Sequence, residues 1–400
     1  MKKFAAWTGA LIAIALAAFL ILGPGIAENS MNKVVGTRAT VSARAEALHK
    51  RLAIADMHGD TLLWNRDLLS RGTRGHIDLP RLQSGNVTLQ VFSSVSQTPR
   101  GQNYQSNPDN DQLWLLVMAQ QQPGRTWFSP LQRSLFHAQK LDAAVAASNG
   151  DLIAIRTRAD LARLLAARAN PARWRVDRGG LTPRQVAPTG ALFSVEGLQN
   201  LEGDFANLDR LYRAGVRMAG LTHFFDNAVA GSMHGERKGG LTPLGRRVVR
   251  EMERRGMIID IAHCSHACVA DVLAMATRPV VSSHGGVQAT CAENRNLSDE
   301  EIRGVARTGG VIGVGVWDAA VCGTEPADTA RAMRHIRDLV GIDHVGLGTD
   351  FDGAITAGYD VSRLALITQA LIDQGFTDEE IGKAMGGNTL RVLAQTLPER

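Results

Sequence analysis

Residues 54–63 read IADMHGDTLL, a short apolar run that gives way at once to Asp56, His58 and Asp60. A buried parallel strand is a short apolar run of this kind. A strand that ends in an imidazole and carboxylates delivers them to whatever lies beyond its C-terminal end. The pattern recurs along the chain: LAIADMH, VTLQVFSSV, ALFSVEG, RMAGLTH, GMIIDIAH, PVVSSHGG, GGVIGVGV and HVGLGTDFDG make eight such runs, with amphipathic stretches such as LTPLGRRVVREMERRG between them. Strand and helix in alternation predict parallel strands with crossover helices. Eight of them predict an α/β fold closed as a (β/α)8 TIM-type barrel rather than an open sheet. Two segments, Ser298 to Glu301 in SDEE and Thr377 to Glu380 in TDEE, open helices with capping boxes. The stretch from about 97 to 185 holds helices and an extra extended piece, DLIAI, and reads as an elaborated connection between the second and third strands.

A chain of 400 residues that is 44% hydrophobic suits a packed globular protein rather than a disordered or fibrous one. Its formal net charge is +5, but the basic residues are spread over helix faces such as RTRADLARLLAARANPARWR, interleaved with Asp and apolar residues. That is a solvated surface, and no nucleic-acid partner is expected.

The N-terminus runs MKK and then FAAWTGALIAIALAAFLIL, positive charge ahead of an unbroken apolar-to-small run. This reads as an export signal that is no part of the fold. The run exceeds the roughly 7–15 residues of a signal-peptide core and approaches the roughly 20 that span a bilayer. Residues 1–27 are therefore assigned to a signal peptide or signal anchor, with cleavage near GPGIA as the alternative to retention. The positive-inside rule puts Lys2 and Lys3 in the cytoplasm and the rest outside it. In a bacterium the domain would face the periplasm, anchored in the inner membrane or released into the periplasm. Residues 28–45 are polar and suit a spacer, and residues 46–400, with no low-complexity break, suit one domain. Cys264, Cys268, Cys291 and Cys322 contain no CxxC pair, so no cysteine-based zinc site is expected.

Active sites of TIM-type barrels lie where the strands end. The first run ends in His58 and Asp60, the third in Glu196, the fourth in His223, the fifth in His263, the sixth in His284, and the eighth in Asp350 and Asp352. Taken singly, a histidine at a strand end is more often structural than a ligand. That reading is kept for His266, His335 and His344, which lie off this pattern, and Asp352 has the alternative of capping a helix. Six coincidences at one rim favour a metal site. Imidazoles with carboxylates and no thiolates suit Zn, Mn, Fe or Co. One ion needs three or four ligands, so the surplus suggests two ions roughly 3.5–4 Å apart with Glu196 between them. A hydroxide held by both would be a nucleophile at neutral pH, because coordination lowers the pKa of water from about 15.7 toward 7. The implied reaction class is metal-assisted hydrolysis. After the sixth run, SHGGVQATCAENRNLSDEE carries Arg295 toward the rim. It is placed either to grip a substrate carboxylate or to pair at the surface with Glu293 or Asp299.

The motifs DMHGDT, HIDLPRLQSG, SVEG, LYRAGVRMAGLTH, GLTPLGRRVVREMERRGMIIDIAHCS, VVSSHGG with AENRNLSDEE, HVGLGTDFDG and GGNTLRVL resemble the membrane dipeptidase, or renal dipeptidase, family of zinc peptidases. The resemblance runs from about residue 46 to the C-terminus. It implies a (β/α)8 barrel with two Zn ions, the first held by His58, Asp60 and Glu196 and the second by Glu196, His263 and His284. It further implies that His223 contacts the substrate and stabilises the oxyanion, that Arg295 holds the substrate's C-terminal carboxylate, and that Asp350 handles the proton near the free amine. The implied substrates are free dipeptides, with a D-residue tolerated at the C-terminal position. Cys291 and Cys322 fall where the family has a disulfide, and a homodimer is a further implication. The sequence also departs from the family. It ends at TLPER rather than in a lipid-anchor signal, Phe224 and Phe225 follow His223 where a cysteine is expected, and VGVWDAAVCG lacks an expected tyrosine. The rival readings are another binuclear amidohydrolase, acting on N-acyl amino acids, lactones or β-lactam amides, and a binding protein with a decayed site.

Overall fold

The computed structural model describes residues 2–169, 174–177, 180–183 and 187–399. All eight apolar runs are strands: β1 (Ile54–Asp56), β2 (Val87–Phe92), β3 (Thr189–Val195), β4 (Val216–Gly220), β5 (Ile258–Asp260), β6 (Val281–Ser282), β7 (Val311–Val314) and β8 (Val345–Leu347). Each pairs in parallel with the next, and Leu347 of β8 pairs with Asp56 of β1, which closes the barrel. The expected (β/α)8 architecture is the one formed.

Because both faces of each strand are buried, the runs are apolar on both faces. Ala55, Leu89, Leu192, Met218, Ile258, Val281 and Val311 fill the inside as one cluster. Their chain neighbours, including Ile54, Phe193, Ala219, Ile259 and Ile312, pack outward beneath the helices. The helices begin and end where local chemistry dictates. In LTPLGRRVVREMERRG, the Thr242 hydroxyl accepts from Gly245 N, Pro243 opens the helix Pro243–Arg255, and Gly256 ends it at φ +70°. The capping boxes at Ser298/Glu301 and Thr377/Glu380 are both formed.

In the long connection between β2 and β3, the DLIAI piece supplies a ninth parallel strand, Leu152–Ala154. It pairs with Thr189, Gly190 and Ala191 at the start of β3, below the point where β4 takes over at Phe193. Parts of this connection lie outside the described residues.

The N-terminal run belongs to the helix Lys2–Met31, in which many side chains, those of Lys2 and Lys3 included, lie outside those described. Among the described residues, no helix is long and apolar enough to cross a membrane. Residues 28–45, read as a spacer, are bound to the barrel. Glu28 is 2% exposed and forms ion pairs with Arg66 and Arg74. Asn32 Oδ1 accepts from Ala354 N at 2.8 Å, and Lys33–Val34 pairs in parallel with Thr356–Ala357, in the loop after β8. Polar composition here reflects buried ion pairs and a short strand, which a polarity pattern alone does not separate from a tether.

Candidate active site

The strand ends bring His58, Asp60, Glu196, His223, His263, His284 and Asp350 together, and all seven are buried. Glu196 is the hub. Its Oε1 lies 3.5 Å from His58 Nε2, 3.2 Å from His263 Nε2 and 3.3 Å from His284 Nε2, while its Oε2 lies 3.4 Å from His223 Nε2. His58 Nε2 is also 3.4 Å from Asp60 Oδ2 and 3.9 Å from Asp350 Oδ1. The His263 and His284 Nε2 atoms are 2.9 Å apart.

Two groupings, His58/Asp60/Glu196 and Glu196/His223/His263, place their ligand atoms close enough to share a cation. The electrostatics fit one. Burial would lower the His58 pKa, but the Asp60 and Glu196 carboxylates outweigh it and push it up to about 10. Burial also raises the Asp60 carboxyl, and neighbouring Glu196 adds to the rise. Positive charge is therefore strongly favoured among these carboxylates. Burial, reinforced by Arg295, holds His263 well below the ordinary histidine value; burial and the charge of His58 do the same for His284. Neutral imidazoles are the form that binds metals. Among the described residues, His58 Nε2 and Asp60 Oδ1 are buried with no hydrogen-bond partner, which is costly unless a cation lies against them. The donor set of imidazole and carboxylate fits a divalent metal.

The backbone is bent to achieve this. His263 (φ +63°) and Asp350 (φ +60°) are in the left-handed region, at a cost of about 1–3 kcal/mol each. Asp56 helps to hold the second of these turns: it accepts from Thr349 N at 2.8 Å and Thr349 Oγ1 at 2.7 Å, next to Asp350.

Above the cluster lies a cavity of about 530 Å³ whose walls include Asp60, Glu196, His223, His263, Arg295 and Asp350. Arg295 is 4% exposed. Its guanidinium lies over the Trp317 ring and against Gly285, where a Cβ would meet Nη1 at 3.1 Å. Its Nε and Nη1 are buried with no hydrogen-bond partner among the described residues. The pairing with Asp299 does not occur, since that carboxylate binds His335 at 2.7 Å. The Arg295 Nη2 lies 3.5 Å from His263 Nε2, and a guanidinium that lines a cavity with no carboxylate paired to it among the described residues suits an anion. Cys291 and Cys322 form a disulfide that joins the loops carrying Arg295 and Trp317.

Asp352, at the same rim, is neither a ligand nor a helix cap. Its carboxylate binds Arg66, His76 N at 2.6 Å and Thr61 Oγ1 at 2.8 Å. His266 pairs with Glu301 at 2.6 Å, and His344 Nδ1 with the Gly310 carbonyl at 2.8 Å, both outside the cluster. Sequence reasoning missed Tyr104 and His234, which help to wall the site. Tyr104 lines the cavity, and its carbonyl oxygen lies 2.9 Å from His234 Nδ1. Nothing in residues 97–112 signals that return to the rim. It also missed Asp260, for which a signal existed: a carboxylate inside the apolar run MIIDIA.

A closed parallel barrel with an imidazole and carboxylate cluster at its C-terminal rim defines the metal-binding (β/α)8 barrels. Within that class, the chain belongs to the membrane dipeptidase family, Peptidase family M19, whose sequence model matches residues 42–398. It is 35% identical over 217 residues to Dipeptidase aclJ of Aspergillus oryzae (51% of this chain, 50% of that one). It is 34% identical over 238 residues to Dipeptidase verJ of Clonostachys rogersoniana (58% and 60%). The matched stretches thus span about half to three-fifths of those relatives' length. A metallo peptidase from Rhodobacter sphaeroides, solved with a phosphinate mimic of the dipeptide L-Ala-D-Ala, shares the fold. Its TM-score is 0.68 at 22% identity, over 86% of this chain and 99% of that one.

Proposed function

We propose that the protein is a zinc-dependent dipeptidase that hydrolyses the single peptide bond of free dipeptides, including those with a C-terminal D-residue. The observation that carries this reading is that Arg295, which no carboxylate pairs among the described residues, lines the same cavity as Glu196. An anion grip beside a cation pair measures a substrate whose carboxylate lies one residue from the bond to be cut. His58, Asp60 and Glu196 would hold one Zn, and Glu196, His263 and His284 the other. His223 also lines the cavity, and the family resemblance is what assigns it to the substrate rather than to an ion. The D-residue is included because the Rhodobacter relative holds a mimic of L-Ala-D-Ala.

When bound, a zinc pair supplies Lewis acidity and an activated water. Arg295 binds the substrate's terminal carboxylate through parallel charge-assisted hydrogen bonds and so fixes the register of the peptide bond. His223 Nε2 stabilises the oxyanion as negative charge develops on the carbonyl oxygen. The Asp350 carboxylate takes the proton from the attacking water and returns it to the leaving nitrogen. Burial raises the Asp350 pKa, and Asp60 and Glu196 add to the rise while His58 and Arg295 oppose it, which makes the carboxylate a stronger base for that step. The Lys2 and Lys3 charges ahead of an apolar run support export as the reading of the N-terminus.

The test is hydrolysis of L-Ala-L-Ala, L-Ala-D-Ala, N-acetyl-Ala-Ala and Ala-Ala-Ala by the Zn-loaded chain. Cleavage of the free dipeptides alone is expected. Silence on all four, with two metals bound, would move the substrate to non-peptide amides and sink the dipeptidase reading.

A further inference from the structure

Behind the cluster, on the side away from the cavity, one hydroxyl touches three charged or ligating groups. Ser283 Oγ lies 2.6 Å from Asp260 Oδ2, 2.9 Å from His284 Nδ1 and 3.4 Å from His58 Nδ1. All four residues are buried. The carboxylate is fixed from its other side, where Asp260 Oδ1 accepts from Ala262 N at 3.0 Å and Ser283 N at 2.8 Å. His58, Asp260 and His284 are close enough to share a cation directly, but the serine hydroxyl lies between them and satisfies the carboxylate.

We infer that Asp260 and Ser283 form a positioning pair that sets the ring orientation and tautomer of two histidines at once, one from each of the two cation sites proposed above. The valence count carries this. A serine hydroxyl has one proton and two lone pairs, and a carboxylate only accepts. The Ser283 proton is therefore committed to Asp260 Oδ2. Its two lone pairs remain for two N–H donors, which are the Nδ1 atoms of His284 and His58. With Nδ1 protonated on both rings, both Nε2 lone pairs face Glu196, at 3.5 Å from His58 and 3.3 Å from His284. Outer partners of this kind orient ligating imidazoles and raise their basicity. Here one serine serves two rings, so the two sites share a single support.

The same count predicts different failures for the two members. Ser283→Ala removes the acceptor for both rings. It should weaken both cations by about 10–100-fold. Asp260→Asn is isosteric, and its amide oxygen stays at Oδ1 because two backbone N–H groups donate there. The amide nitrogen then donates to Ser283, leaving one lone pair and the hydroxyl proton for the two rings. One imidazole must turn its protonated nitrogen toward Glu196, so one cation should weaken while the other stays tight. Ser283→Thr keeps the hydroxyl and should restore both.

The inference rests on the metal-pair reading, and the experiment separates the two. Zn content after dialysis and Zn affinity by chelator competition are measured on the full chain and the three variants, with circular dichroism to confirm folding. The expected result is two tight cations in the parent and in Ser283→Thr, two weakened in Ser283→Ala, and one weakened in Asp260→Asn. Parent affinity at both sites in Ser283→Ala and Asp260→Asn would overturn the positioning pair alone, as would an effect of Ser283→Ala on only one cation. A folded parent that holds fewer than two Zn would overturn the metal pair and the inference with it.

Discussion

The Arg295 guanidinium carbon lies 4.7 Å from the centre of the Trp317 ring, so the charge is held against an aromatic face rather than by a carboxylate. Arg295→Ala should lower kcat/KM for a free dipeptide by roughly 30-fold or more, which corresponds to the loss of at least about 2 kcal/mol. The corresponding dipeptide amide, which has no carboxylate to lose, should be affected far less. Steady-state kinetics on the matched pair check this. An equal loss on both substrates would show that Arg295 acts only through structure.

Glu196 lies 3.2–3.5 Å from four histidine nitrogens. Glu196→Gln halves the charge-bearing acceptors at the hub and should abolish tight binding at both sites, with activity falling by about a thousandfold, or about 4 kcal/mol of barrier. Chelation of the parent should do the same, and added Zn should restore it. Metal content and activity are measured on the same samples; retention of both metals by the variant would contradict the bridging role.

His223 lines the cavity and holds no position behind it. His223→Ala should reduce kcat by about 100- to 1000-fold, with metal content unchanged. Loss of a metal in this variant would transfer His223 from the substrate to the ligand set.

Burial alone would raise the Asp352 carboxyl, but Arg66 and then His76 hold it well below the usual carboxylate range. A depressed carboxylate stabilises the fold fully above its unfolded value of about 3.9 and loses that contribution as pH falls through the folded value. Asp352→Asn should cost about 3–5 kcal/mol near pH 7, because Arg66 loses a buried partner. The gap from the parent should narrow as pH falls below about 4. Denaturant unfolding at several pH values measures both.

Glu28 is buried against Arg66, and Asn32 and Lys33 hold the loop after β8. A chain beginning at residue 36 should therefore melt a few degrees below one beginning at residue 28, the shift expected for about 1–3 kcal/mol in a domain this large. Equal melting temperatures would show that the segment merely rests on the barrel.

The barrel was legible because each strand is short, apolar and bounded by a helical pattern, and because closure needs no information beyond the count. The cluster at the rim was legible because its side chains fall one to four residues past the ends of six of the eight strands. Asp352 shows where that logic stops. It is spaced like a site residue, yet Arg66 and His76 come from a different part of the chain to claim it. Tyr104 reaches the cavity from a long connection whose path depends on contacts at His234 and Asn294, and no local periodicity encodes such a return. Residues 28–34 were misleading for a related reason, since a two-residue strand and a buried Glu leave no pattern a window can detect.

The Cys291–Cys322 bond fastens the loop of Arg295 to the loop of Trp317, while Tyr104 is held at the same cavity by hydrogen bonds from its neighbours. The chamber thus has one welded jaw and one latched jaw. The covalent fastening keeps the Arg295 and Trp317 loops in register with one another, so the wall that carries the Arg295 charge is the wall with least freedom to change shape.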